Sequence, residues 1–65
     1  MNHMVRTYNK DFKCVYQSFH QTAETAYAEY VRNIECIKKM LPHGEEYTVA
    51  RYNDGTLMTF ETIKK

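Results

Sequence analysis

From Ala23 onward the apolar positions recur at alternating steps of four and three: Ala23, Tyr27, Tyr30, Ile34, Ile37 and Leu41. That spacing places them on one side of a helix and predicts a helix over about His20 to Leu41. Ala26 and Val31 widen the stripe, whereas Glu24, Glu29, Arg32, Glu35, Lys38 and Lys39 fall mainly on the other side. Ser18 with Gln21, or Thr22 alone, can cap the start, and Pro42 followed by Gly44 ends the run. Acidic residues lie early and Lys38 and Lys39 late, as the helix macrodipole favours.

The pattern then changes period. Tyr47 to Tyr52 and Thr56 to Ile63 are rich in Thr, Tyr, Val and Phe, and Asn53-Asp54-Gly55 separates them, which predicts a β-hairpin. With Asp54-Gly55 as a two-residue turn, Tyr47, Val49, Met58 and Phe60 are expected on the face that meets the helix, with Arg51 at its margin. A three-residue turn would instead group Ala50 and Tyr52 with Met58 and Phe60. Upstream, Met4 to Tyr8 and Phe12 to Ser18 alternate over short stretches, and Phe12, Cys14 and Tyr16 share a face if extended. Asn9-Lys10-Asp11 can turn the chain between them. The expected fold class is α+β, one amphipathic helix packed on a small antiparallel sheet of three to four strands, in order β-α-β-β or β-β-α-β-β.

A chain of 65 residues makes a single domain over 1–65. Its composition, 43% hydrophobic and 26% charged, is that of a globular protein, and the start Met1-Asn2-His3-Met4-Val5-Arg6 lacks the apolar stretch of a signal peptide. No apolar run approaches the roughly 20 residues a bilayer requires, so the expectation is a cytoplasmic protein with no membrane partner. The formal net charge of +1 disfavours strong sequence-independent DNA binding and also an acidic DNA mimic.

Chemistry-bearing residues are sparse. Cys14, His20, Cys36 and His43 have the donor types of a zinc site, but no two cysteines are two to four apart and the histidine spacing fits no finger. Free thiols and no cofactor or metal are expected. Gly44 and Gly55 serve a helix exit and a turn rather than a phosphate loop, and no nucleophile, base and acid are spaced to converge, so an enzyme is not expected.

Aromatic content points elsewhere. Six tyrosines and three phenylalanines make 14% of the chain, more than so small a core can conceal with every phenol satisfied. Tyr8, Tyr16 and Tyr52 are expected at the surface, and Arg6 and Arg51 accompany them as anchors for a partner protein. Arg51 and Tyr52, beside the hairpin turn, are the favoured pair. The alternative is a small nucleic-acid-binding regulator: Arg6, Lys10, Lys13, Arg51, Lys64 and Lys65 interleave with the tyrosines, which stack on bases, while Arg6, Lys13 and Arg51 meet phosphates.

The layout has a counterpart. A strand or two through Val15-Tyr16, a helix headed by Thr22-Ala23-Glu24-Thr25-Ala26 and a hairpin turning at Asn53-Asp54-Gly55 resembles small phage-encoded inhibitors of host enzymes or defence complexes, such as anti-CRISPR and host-takeover proteins. The resemblance spans nearly the whole chain in size and layout, with no diagnostic residue string. It implies a non-enzymatic protein-binding module in the host cytoplasm that occludes or alters a larger protein partner. A homodimer is also expected, because a core this small is marginal and an open sheet leaves a pairing edge; the alternative is a monomer, if Lys10, Lys13 and Glu61 guard that edge by charge.

Overall fold

The computed structural model describes residues 2–64; Met1 and Lys65 lie outside the described residues. Strands β1 (His3–Tyr8) and β2 (Cys14–His20) precede the helix α1 (Ala23–Met40), and β3 (Glu46–Asn53) and β4 (Thr56–Lys64) follow it. The chain is therefore β-β-α-β-β, with one antiparallel sheet in the order β2-β1-β3-β4. The crossover through α1 returns β3 beside β1, so the two hairpins join along their first strands and leave β2 and β4 as edges.

Thr22 caps the helix by accepting the Thr25 amide at Oγ1, and Leu41 closes it by donating its amide to the Ile37 carbonyl. The buried stripe runs through Ala26, Tyr30, Ile34 and Leu41, with Val31 and Ile37 packed beside it. It is rotated from the expected one: Ala23 and Tyr27 are exposed, and Ala26, expected on a flank, is fully buried. The small Ala26 side chain lets the first turns approach the sheet, where Val5 of β1, Val49 of β3 and Ile63 of β4 complete the core. β2 contributes no residue to that core.

Two departures from regular pairing decide what each strand presents. In the β3–β4 hairpin Asn53 pairs with Thr56, so the turn holds two residues, Asp54 at φ 50° and Gly55 at φ 84°. That left-handed pair is the combination a right-twisted hairpin accepts. Immediately beyond it the register shifts, because Tyr52 pairs with Leu57 and Arg51 with Thr59, which leaves Met58 as an extra residue. The shift reverses the facing of every later residue in β4. Phe60 pairs with Ala50 on the face away from the helix, while Tyr47 and Val49 stay beneath it. The two-residue turn is as expected from the sequence, and the expected sharing of a face by Val49 and Phe60 is corrected by the bulge.

The β1–β2 turn carries the second departure. Asn9 Oδ1 accepts the amides of Asp11 and Lys13, at 2.9 and 3.0 Å, and the Phe12 amide bonds the Asn9 carbonyl. The left-handed residue here is Phe12, at φ 58°. Thr7 pairs with Tyr16 and Tyr8 with Cys14, which leaves Val15 over, so Cys14 and Tyr16 lie on opposite faces. The expected shared face of Phe12, Cys14 and Tyr16 is thus corrected by the turn and the bulge.

Candidate functional site

Alternation along the strands divides the sheet into a covered and an open face. His3, Val5 and Thr7 of β1 lie under the helix with Val49, whereas Met4, Arg6 and Tyr8 face away from it with Ala50 and Tyr52. From β4 the open side receives Phe60 and Thr62, and from β2 it receives Gln17 and Phe19. No element of the described chain packs over this side.

A shallow hollow of about 430 Å³ lies there, lined by Tyr8, Phe12, Thr48, Ala50, Tyr52, Leu57, Phe60 and Thr62. Its floor is Ala50, whose small side chain leaves room between the Tyr8, Tyr52 and Phe60 rings; its rim includes Thr48 and Thr62, whose hydroxyls lie 3.1 Å apart. Phe12 is 75% exposed and Phe60 59% exposed. A bulky residue at positive φ is a costly conformation, on the order of 1–2 kcal/mol. At Phe12 that conformation serves to place an apolar ring beside the hollow.

The polar part of the face is small. Arg6 Nη1 donates to the Tyr8 hydroxyl at 3.5 Å, and the Tyr8 and Tyr52 hydroxyls share a hydrogen bond at 3.1 Å. The bond to Tyr8, followed by partial burial, raises the Tyr52 phenol above its usual value, and Arg6 opposes that rise. Among the described residues Arg6 meets no carboxylate, whereas Lys64 is paired with Glu46 at 3.2 Å. The guanidinium therefore stands as a cation among tyrosines, with hydrogen-bonding capacity left for an incoming acceptor.

Of the surface anchors read from the sequence, Arg6, Tyr8 and Tyr52 come together on this face. The other two do not join them. Arg51 follows the opposite pleat from Tyr52 and lies over the exposed Tyr27 ring of the helix, 5.8 Å from its centroid. Tyr16 likewise turns to the helix side, where its hydroxyl donates to Glu29 Oε1 at 2.8 Å, and that carboxylate raises the phenol above its usual value. The favoured Arg51–Tyr52 pair is therefore split, as strand neighbours must be.

Sequence reasoning misses Phe12, Leu57 and Phe60. A buried phenol needs a partner, which marks tyrosines for the surface; a phenylalanine carries no such mark and reads as core. The bulge at Met58 reverses that assignment for Phe60, and the left-handed turn residue does so for Phe12, while Leu57 keeps its place opposite Tyr52.

The other chemistry-bearing groups are dispersed. Cys14 and Cys36 are free and exposed, on β2 and on α1, and among the described residues no three His, Cys, Asp or Glu side chains gather as metal ligands. Ser18 Oγ lies 2.9 Å from His20 Nε2 along the β2 edge, a contact between side chains two apart on one strand. Among the described residues, no helix is long and apolar enough to cross a membrane. Comparisons with family models, with curated proteins and with solved structures return no match, so the open face with its hollow and its Arg6–Tyr8–Tyr52 chain is the ground on which function is argued.

Proposed function

We propose that the protein is a non-enzymatic binding module that docks a larger protein partner on the open face of its sheet and inhibits or alters it by occupying the partner's surface. The observation that carries the reading is the composition of that face: aromatic and aliphatic side chains around a hollow, one cation without a carboxylate, and threonines with an ion pair at the rim. Interface cores are enriched in Tyr, Phe, Met and Arg and poor in other charges, with polar groups at the periphery. Tyr8 and Tyr52 add rigid amphipathic area, and Arg6 fits a carboxylate or carbonyl of the partner. The resemblance to phage-encoded inhibitors points the same way, to a partner in the host cytoplasm.

The test compares faces. Capture from a bacterial lysate is repeated with Tyr52→Ala and Phe60→Ala, and with Glu24→Ala on the exposed side of the helix. The expected result is one partner retained by wild type and by Glu24→Ala and lost with both open-face variants. Retention by all three refutes the proposal.

Nucleic-acid binding is the second reading, favoured by the same uncovered rings, since every base can stack on an aromatic side chain. Charge weighs against it. Lys64 is tied to Glu46, Arg51 is occupied at Tyr27, and Lys10 and Lys13 lie within the β1–β2 connection. Single-stranded oligonucleotide titrated at low salt separates the readings: micromolar affinity that weakens steeply with salt supports stacking, and no binding eliminates it.

A further inference from the structure

The two edges of the sheet are built differently. β4 carries Glu61 and Lys64, which pair with Lys38 at 3.5 Å and with Glu46 at 3.2 Å. Charged side chains on an edge discourage pairing with another strand, because they must be desolvated or brought against like charges. β2, Cys14–His20, has no Asp, Glu, Lys or Arg in its seven residues, and it is exposed or half-buried throughout. Lys10 and Lys13, expected from the sequence to guard this edge, lie outside the strand. Val15 is 53%, Tyr16 44% and Phe19 67% exposed.

We propose that β2 pairs antiparallel with β2 of a second copy of this chain, which makes the protein a dimer with one continuous eight-stranded sheet. A second copy is the occupant that this sequence fits. In a two-fold antiparallel pairing every residue meets a residue of the same short segment, and a Lys or Glu near its centre comes close to its own copy. A strand free of charge avoids that repulsion, whereas a strand evolved for a different partner gains selectivity from charge. The net charge of +1 adds little repulsion between whole molecules.

The bulge at Val15 sets the extent of the pairing. It interrupts the regular strand at that point, so Tyr16–His20 is the regular stretch available and its centre is Ser18. Ser18 then faces Ser18 of the second copy, Tyr16 faces His20, and Gln17 faces Phe19. The two-fold axis stands normal to the sheet, which places both helices on one side and both open faces on the other. The open face of each copy stays free, so this assembly and the binding proposed above stand or fall separately. Five paired residues make less than the roughly 1,200–2,000 Å² of a standard interface, and a dissociation constant in the micromolar range is expected.

Sedimentation of the full chain over a hundredfold concentration range, extending to about millimolar, tests the pairing. Wild type is expected to pass from monomer to dimer mass. Ser18→Lys and Ser18→Glu alone are expected to raise the dissociation constant at least tenfold, and mixing the two is expected to restore dimer, since opposite charges then face each other. Rescue on mixing separates lost pairing from lost folding. Should the Ser18 variants fail to fold, Phe19→Lys and Phe19→Glu repeat the test at a more exposed position, where the two charges meet diagonally across the pairing and the effect is expected to be smaller. A wild type that stays monomeric throughout, or a dimer indifferent to the β2 charges, overturns the proposal; a dimer abolished instead by Phe60→Ala also overturns it, by placing the contact on the open face.

Discussion

The covered and open faces of the sheet are made by the same strands, yet the core under the helix holds no phenylalanine. Under the helix sit Val5 and Val49, fully buried, with Ala26, Tyr30, Ile34, Leu41 and Ile63. All three phenylalanines of the chain are exposed, at 75% for Phe12, 67% for Phe19 and 59% for Phe60. Burial alone would favour the reverse, since a phenylalanine removes more apolar surface from water than a valine. The difference teaches that coverage, and not hydrophobicity, sets the core of this molecule. A helix about 10–12 Å across can shield little more than the middle strands of a sheet whose strands are about 4.8 Å apart, and it shields one side only. The large side chains on the other side are only partly covered by the fold, so they gain less from it than the residues under the helix.

Truncating one residue on each face is the strongest way to break that comparison. Ile34→Ala is expected to cost about 2–5 kcal/mol, enough to unfold much of so small a domain, whereas Phe60→Ala is expected to change stability by less than about 1 kcal/mol. Urea denaturation at one protein concentration measures both; equal losses would mean that the open face is part of the core.

A smaller effect separates the two turns. Gly55→Ala forces an alanine to φ 84°, where its Cβ meets nothing within 4 Å, so the expected loss of about 1–2 kcal/mol is backbone strain alone. Phe12→Gly relieves the same kind of strain, offset by about 0.5–1 kcal/mol of added chain entropy. It is expected to leave stability unchanged or slightly raised while it weakens binding at the open face. Thermal melts and partner capture read the two effects; a marked destabilisation by Phe12→Gly would assign that ring to the fold.

The smallest effect is alkaline. Tyr16 on the covered side and Tyr52 on the open side both have phenols raised above the usual 10.0, through Glu29 and Tyr8 respectively. A raised folded value means that the unfolded chain ionises first. The stabilisation is therefore complete below about pH 10 and is lost as pH rises from there through the folded values. Tyr16→Phe is expected to flatten this loss more than Tyr52→Phe, because Tyr16 faces a carboxylate whereas Arg6 favours ionised Tyr52. Stability curves from pH 9 to about 11.5 check the order.

Elements set by neighbouring residues were legible in the chain itself. The step-four and step-three spacing with Thr22 and Pro42 locates α1, and Asp54-Gly55 locates a two-residue turn, because capping, proline geometry and left-handed backbone are local properties. The same holds for the prominence of Arg6, Tyr8 and Tyr52, which stems from an excess of phenols over the core that can hold them. Facing is where local reasoning ended. One extra residue, Met58 in β4 or Val15 in β2, exchanges the two sides of a strand, and nothing in the alternation of those segments marks it.

By itself, then, the sequence determined the helix, the β3–β4 hairpin and the α+β class, since each depends on interactions spanning a few residues, and it left open whether one strand or two precede the helix. The tertiary structure alone decided that two strands precede the helix, that β1 and β3 are central, that Tyr16 turns toward the helix, and that the phenylalanines gather with Arg6, Tyr8 and Tyr52 on the uncovered side. Those outcomes depend on strand pairings such as His3 with Asn53 and on two bulges, and a shift of one residue in a pairing reverses which side a strand's later residues face.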